Sequence, residues 1–224
     1  WPMVWDSYLD GHVWRSLGWP LLSQTAALRE HTISRSKSTQ ELERIKATFD
    51  RRDALPSEDE AVALYFDSCR ERLRLKLLHG KIREESRILD LGCGAGDWLV
   101  SLAAMGIRPG YMCGVDLSEN RIDKARERLP GALWVVGAAT HTDFEDGTFD
   151  GVILSLVLSS IRDRALQQET IDAAWRLVAP GGWLLVHELR YARRRSDSRA
   201  IPFDAIAHML GGRATRFQLE SLIL

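Results

Sequence analysis

The sequence has few cysteines, no long apolar run and almost no net charge, and each absence excludes a class of protein. The three cysteines, Cys69, Cys93 and Cys113, form no Cys-x-x-Cys pair, so neither a disulfide framework nor a thiolate zinc site is expected. No apolar segment approaches the roughly 20 residues that cross a bilayer. Thirty basic residues against 31 acidic ones leave a formal net charge of -1, which argues against a nucleic-acid partner. Reduced cysteines and the lack of a basic-then-apolar leader predict a cytoplasmic protein.

Composition divides the chain into an N-terminal segment, residues 1–60, and a patterned region, residues 61–224. The first thirty residues are rich in aromatics, and the next thirty are polar with little to build a core. The aromatics are expected to pack on the core or on a second subunit, and a lid over the acceptor is the alternative; they are Trp1, Trp5, Tyr8 and Trp19. The segment is therefore predicted to be a lid, a packing element or a linker, and a homodimer is an open alternative.

The patterned region alternates apolar strands with helices, which is typical of a parallel sheet. Helices are predicted over residues 61–79, 98–105, 119–129 and 165–178. Strands are predicted over residues 87–91, 111–117, 133–137, 149–156, 183–188 and 215–224. Because the strands are apolar throughout, both faces of the sheet should be buried. The predicted fold class is α/β, a Rossmann-like doubly wound and mostly parallel sheet with helices on both faces, plus an N-terminal helical segment.

The first strand runs into a glycine loop flanked by carboxylates, Asp90-Leu91-Gly92-Cys93-Gly94-Ala95-Gly96-Asp97. Alternating glycines allow a tight turn that a ligand can approach closely. The spacing differs from the Gly-x-Gly-x-x-Gly dinucleotide fingerprint, and Asp90 and Asp97 would repel a pyrophosphate but stabilise the amino group and sulfonium of S-adenosylmethionine. Asp116 ends the second strand, where a carboxylate can accept hydrogen bonds from ribose hydroxyls. The alternatives are a solvated Asp90 and a helix-capping Asp116.

Four segments, in order, resemble the successive motifs of class I S-adenosylmethionine-dependent methyltransferases. They are LDLGCGAG from residue 89, VDLS from 115, FEDGTFDGVILSLVLSSI from 144 and LVAPGGWLLVHE from 177. The resemblance covers about residues 61–224, without the family's last strand. Ser159-Ser160-Ile161 and Arg190-Tyr191 make the chain similar to bacterial members found among polysaccharide or secondary-metabolite biosynthesis genes.

The resemblance implies where the cofactor would bind. Its methionine end would lie against Asp90 and the glycine loop, at Gly92, Cys93, Gly94 and Gly96. The ribose would meet Asp116, the adenine would meet Leu117, Ala138 and Ala139, and the sulfonium would lie over Ser155 and Leu156. Where the family usually has an acid for the adenine amino group, this chain has Gly137-Ala138-Ala139, so Thr140 or Asp143 is the candidate replacement.

A general base is needed only if the acceptor is a hydroxyl or a protonated amine. It should lie at the carboxyl ends of the strands, where open α/β sheets bind their ligands. His187 and Glu188 end the fifth strand and Tyr191 follows, so these three are the catalytic candidates; a buried histidine bonded to backbone is the alternative for His187. As neighbours on a strand, His187 and Glu188 should face opposite ways. His141 is a weaker candidate, and no cluster has metal-ligand spacing, so no metal is expected.

A cationic segment, residues 190–199, follows the fifth strand. It would attract an anionic acceptor to the mouth of the site, or else it is a solvated loop.

The predicted function is S-adenosylmethionine-dependent methyl transfer to a small-molecule or glycan acceptor, with oxygen favoured as the acceptor atom. The alternatives that keep the cofactor are an inactive regulatory domain and an N-methyltransferase of a natural product. A nicotinamide-dependent oxidoreductase is disfavoured by the glycine spacing, and a nucleic-acid methyltransferase by the near-neutral charge.

Overall fold

The computed structural model describes residues 37–54, 78, 80–189 and 198–214. Within these ranges, five strands form one sheet in the order β3-β2-β1-β4-β5. They are β1 (Ile88–Leu91), β2 (Met112–Asp116), β3 (Leu133–Val136), β4 (Phe149–Ser155) and β5 (Val178–His187). All neighbouring strands pair in parallel, so each connection has to cross over a face of the sheet. The predicted α/β doubly wound fold is confirmed.

Five α-helices lie in the described ranges. They are α1 (Lys37–Asp53), α2 (Asp97–Ala104), α3 (Glu119–Arg128), α4 (Arg164–Leu177) and α5 (Phe203–Leu210). A short 3-10 turn, Leu158–Ser160, separates β4 from α4. The start of α4 is fixed by Asp163, whose side chain accepts a hydrogen bond from the Leu166 backbone N–H, as an N-cap residue does.

Each face of the sheet buries its own apolar cluster. Leu89 and Val115 face the cluster that contains α4 and α5, whereas Ile88 and Met112 face the cluster that contains α2 and α3. Successive strand residues point to opposite faces, so this partition requires apolar residues at both alternating positions. That requirement explains why the strand segments are apolar throughout.

The structure differs from the sequence-based prediction at β5 and at two helices. β5 begins at Val178 rather than at 183: Val178 pairs with Phe149, and the register shifts before Trp183 pairs with Gly151. Helix α5 was not predicted, and α1 contributes the buried side chain of Ile45 where little core was expected. The predicted strand at 215–224 and nearly all of the predicted helix at 61–79 lie outside the described residues, as do the N-terminal aromatics.

Candidate cofactor and active site

A cavity of about 300 Å³ opens at the carboxyl ends of the strands. It lies where the chain turns outward from β1 on one side to β2 and on the other to β4, the switch point at which doubly wound sheets bind ligands. Its lining comes from α1, the glycine loop, the ends of β2 and β4, the residues that follow β2, β3 and β4, and single turns of α2, α3 and α4. The lining residues are Leu42, Ile45, Lys46, Phe49, Gly92, Cys93, Gly94, Asp97, Trp98, Asp116, Leu117, Ser118, Arg121, Gly137, Ala139, Thr140, Ser155, Leu156, Val157, Ser160, Ile161 and Thr170.

The glycine loop is held against the end of β2 by its backbone. The N–H groups of Gly92 and Cys93 both donate to the Val115 carbonyl, at 2.7 and 3.0 Å. Gly92 has a φ of 78°, and a side chain there would come within 2.5 Å of the Val157 Cγ2 atom. Glycine is therefore required at 92 for both its conformation and its contact with Val157.

Asp116 faces the cavity with both carboxylate oxygens oriented. One oxygen accepts from the Gly94 N–H and the other from the Ser118 N–H, each at 2.9 Å. Each carboxylate oxygen has a second lone-pair site, so Asp116 can still accept hydrogen bonds from a ligand. The residue predicted to hold the ribose thus has the capacity for that role.

Three of the predicted cofactor residues lie beside the lining rather than in it. Asp90 is fully buried behind the glycine loop. Gly96 has a φ of 82°, and a side chain there would meet the Trp134 ring at 2.6 Å, so packing explains this glycine. The Ala138 carbonyl accepts from the His141 N–H at 3.0 Å within a turn, while its neighbours line the cavity.

The adenine corner predicted from the sequence contains one of the two candidate replacements for the missing acid. Thr140 lines the cavity, and its Oγ1 lies 2.8 Å from the His141 Nδ1 atom. Asp143 is exposed and is not part of the lining. Thr140 is therefore the polar side chain available to an adenine edge at this corner.

Cys93 is in the lining but is not set up as a nucleophile. Burial raises the pKa of its thiol well above the ordinary value, and the nearby Asp90 and Asp116 charges raise it further. A thiol with a raised pKa stays protonated at neutral pH and is unreactive. Cys93 can thus contact a ligand only as a small apolar side chain.

His187 reaches the cavity through Ser155. The Ser155 Oγ atom lies 3.0 Å from the His187 Nδ1 atom, and Ser155 lines the cavity. The Trp98 ring packs edge to face against the imidazole, with the two ring centroids 6.4 Å apart, an arrangement that aromatic rings favour. A serine hydroxyl backed by a histidine is an arrangement that can pass on a proton.

Glu188 points to different neighbours, as expected for the residue next to His187 on a strand. Its two oxygens accept from the backbone N–H groups of Leu158 and Ser159, at 2.7 and 3.2 Å. Burial raises the pKa of Glu188 to about 7, although these hydrogen bonds oppose the shift. The carboxylate binds the turn after β4 instead of facing the cavity. Tyr191, the third catalytic candidate, lies outside the described residues.

Leu156 follows β4 in a strained conformation. Its φ is 59°, which a branched side chain rarely adopts. Its N–H donates to the His187 carbonyl at 2.8 Å, and its own carbonyl accepts from the Ser160 Oγ at 3.0 Å. Such strain persists only where the surroundings hold it, and it concentrates at functional sites.

Helix α1 closes one side of the cavity through a polar seam that sequence reasoning missed. Asp53 forms a bidentate ion pair with Arg121, in which the guanidinium nitrogens lie 2.6 and 2.7 Å from the two carboxylate oxygens. The guanidinium lies 4.3 Å from the centroid of the Phe49 ring, and Asp50 accepts from the Ser118 Oγ at 2.7 Å. Leu42, Ile45 and Phe49 follow helical spacing, the one signal in the sequence for a buried face of α1.

The Asp53→Asn variant is expected to lose the α1 seam and to bind S-adenosylmethionine about 3- to 10-fold more weakly. The pair is only 18 % and 20 % exposed at Arg121 and Asp53, so its loss leaves a poorly solvated guanidinium and destabilises α1 by roughly 1–2 kcal/mol. Titration calorimetry and urea unfolding measure the two effects. Asp123→Asn breaks a more exposed pair with Arg126 and should change neither the affinity for S-adenosylmethionine nor the stability. Equal effects of the two variants would contradict a role for the seam.

Among the residues that the structure describes, no group of three or more His, Cys, Asp or Glu side chains could hold a metal ion. No helix in the same part of the chain is long and apolar enough to span a membrane.

Comparison with known proteins shows a similarity to methyltransferases. Residues 88–182 match the family model described as a methyltransferase domain. A demethylmenaquinone methyltransferase of Lactiplantibacillus plantarum is 30 % identical over 113 residues, which are 48 % of this chain and 46 % of that protein. The chain thus spans about half the length of the curated relatives it matches.

Solved structures show the same fold at low identity. A putative methyltransferase from Bacillus halodurans has a TM-score of 0.52 and 18 % identity, covering 62 % of this chain and 66 % of that one. The cyclase SpnF has a TM-score of 0.53 and 20 % identity, covering 62 % and 56 %. Residues 88–182 are thus similar to a methyltransferase domain, which agrees with the predicted enzyme class and supports S-adenosylmethionine as the cofactor.

Proposed function

We propose that this chain transfers a methyl group from S-adenosylmethionine to an oxygen of a small-molecule or glycan acceptor, as a biosynthetic enzyme of the reducing cytoplasm. One observation carries the proposal: the glycine loop, Asp116 and the Ser155–His187 pair line or adjoin a single cavity. The two described cysteines, Cys93 and Cys113, are free thiols, which supports a reducing compartment.

The residues present fit this cofactor. Gly94 leaves open space over the backbone, since the atom nearest to an added side chain is 3.7 Å away. Asp116 offers acceptor capacity to ribose hydroxyls, Leu117 and Ala139 bracket the adenine corner, and Ser155 and Leu156 form the floor where the sulfonium would lie. The cavity volume of about 300 Å³ is at the lower end of the range for ligand pockets. S-adenosylmethionine supplies an activated methyl group, so the chain itself has to align the acceptor and exclude water.

The charged groups of the cavity disfavour a nicotinamide dinucleotide. The two cations in the lining, Lys46 and Arg121, already pair with Asp50 and Asp53. Asp116 adds negative charge beside the glycine loop, which repels a pyrophosphate. Asp97 contributes less than the sequence suggested, because its carboxylate pairs with Arg128.

Oxygen is favoured as the acceptor atom because the site has a proton acceptor in reach. A neutral hydroxyl must lose its proton as it is methylated. The Ser155 hydroxyl can accept that proton while it passes its own proton to His187. Part of the cavity lining is apolar, from Ile45, Phe49 and Ile161. It suits an acceptor with an apolar body.

Titration followed by turnover tests the proposal. Calorimetry with S-adenosylmethionine, S-adenosylhomocysteine and NADH should show micromolar binding of the first two and none of the third. Release of S-adenosylhomocysteine is then measured with phenols, hydroxylated glycans, amines and demethylmenaquinone, the compound named by the curated relatives. Binding without turnover of any acceptor would favour the inactive regulatory domain, and turnover of amines alone would favour N-methylation.

A further inference from the structure

The segment from Leu156 to Ile161, here the β4 turn, forms one wall of the cavity. Leu156, Val157, Ser160 and Ile161 all line it. Val157 also packs directly on Gly92, since a side chain added at Gly92 would overlap the Val157 Cγ2 atom. Any shift of the β4 turn therefore moves the wall relative to the glycine loop.

Two consecutive residues of the β5 end hold this turn. The His187 carbonyl accepts from the Leu156 N–H, and the Glu188 carboxylate accepts from the N–H groups of Leu158 and Ser159. Charge-assisted hydrogen bonds are about twice as strong as neutral ones. Glu188 is the one side chain among these contacts that binds two successive backbone donors of the turn.

The β4 turn and the residue after it are also hydrogen-bonded to α1. Arg44 donates to the Ser160 carbonyl at 2.6 Å, and Glu41 accepts from the Arg162 N–H just beyond the turn. The β4 turn thus contacts the glycine loop, the end of β5 and α1. Its conformation is strained at Leu156, so it needs such external bonds to persist.

We propose that Glu188 is a positioning residue: its carboxylate holds the β4 turn against the glycine loop and so sets the alignment of the acceptor with the methyl donor. The inference rests on the proposed methyl transfer. Glu188 acts through the turn rather than on the substrate, because it is not among the residues that line the cavity and its oxygens bind the backbone N–H groups of the turn. A misplacement of about 1 Å in aligned groups can cost about 100-fold in rate.

Graded variants test the proposal. Glu188→Gln keeps one acceptor oxygen but presents an amide N–H₂ to the second donor, and Glu188→Ala loses both bonds. We expect kcat to fall about 10-fold for Glu188→Gln and about 100-fold for Glu188→Ala. The Kd for S-adenosylhomocysteine should change less than 3-fold in Glu188→Gln. Because the pKa of Glu188 is about 7, the wild-type kcat should fall toward that of Glu188→Gln as the pH drops below 7. Glu127→Gln, on the exposed surface of α3, should behave as the wild type.

Hydrogen exchange separates this proposal from the proposed function. The amides of Leu158 and Ser159 should exchange faster in Glu188→Gln than in the wild type, whether or not an acceptor is ever found. Unchanged exchange would overturn the positioning role even in an active enzyme. Equal inactivity of Glu188→Gln and Glu188→Ala would also overturn it, because a general base is lost completely in both variants, whereas the glutamine keeps one acceptor oxygen for the turn. If the wild type were inactive but the Leu158 and Ser159 amides exchanged faster in Glu188→Gln, the proposed methyl transfer would be refuted. The role of Glu188 in holding the β4 turn would stand.

Discussion

The Asp116→Asn variant is expected to bind S-adenosylmethionine and S-adenosylhomocysteine about 10- to 100-fold more weakly than the wild type. Hydrogen bonds to a charged group are worth about 1.5–3 kcal/mol, and 1.4 kcal/mol is about tenfold in Kd. The carboxylate also anchors the Gly94 and Ser118 N–H groups, and an amide would turn its N–H₂ toward one of them. Titration calorimetry measures the loss.

A ribose-modified ligand distinguishes a direct contact from a loosened loop. S-adenosylhomocysteine lacking its 2′-hydroxyl should bind the wild type more weakly than the normal ligand, whereas Asp116→Asn should bind the two alike. If both proteins discriminate equally between the ligands, Asp116 does not contact the ribose. Asp150→Asn is the matched control, because Asp150 accepts from the Arg87 N–H near the opposite ends of the strands.

The strands and the glycine loop could be predicted because their causes are local. A short apolar run, a glycine turn and the next helix follow each other within about ten residues, and steric rules for the chain fix their order in space. The same spacing did not separate Gly92 from Gly96. Gly92 lines the cavity, whereas Gly96 lies outside the lining and packs against the ring of Trp134, a residue far along the sequence.

The role of α1 could not be predicted because its contacts are long-range. Asp53 and Arg121 are 68 positions apart, and nothing near either residue indicates its partner. The polar composition of residues 31–60 predicts little core, although three apolar side chains at helical spacing suffice to cover one side of a cavity. The pocket wall thus comes from outside the segment that carries the recognisable motifs.

Helix α5 is a different case, since its signals were in the sequence. Pro202 lies at its N-cap and Gly211 at its C-cap with a φ of 57°, the asymmetry typical of helix ends. The eight residues between them form a short helix, which alone is too brief for periodicity to identify. Its packing on α4, where Gln168 donates to the Met209 carbonyl, supplies the missing stability.

The His187→Asn variant should lose about 100- to 10,000-fold in kcat with a neutral hydroxyl acceptor, the range that general-base catalysis contributes. Asparagine can still place a nitrogen near the Ser155 Oγ atom, as the His187 Nδ1 atom does at 3.0 Å, but it cannot accept a proton. S-adenosylmethionine should therefore bind with nearly the wild-type Kd. Rates of S-adenosylhomocysteine release under saturating cofactor measure the effect.

Acceptor acidity provides the decisive comparison for this residue. An acceptor that is already ionised at the assay pH needs no base, so His187→Asn should slow its methylation only slightly. The control variant His208→Ala, on the exposed face of α5, should slow the methylation of neither the ionised nor the neutral acceptor. Ser155→Ala should resemble His187→Asn, and the double variant should be no slower than either single one, because groups that act as one relay are not additive. If ionised and neutral acceptors were slowed equally, the histidine would orient the acceptor without taking its proton, and oxygen would lose its advantage over nitrogen as the acceptor atom.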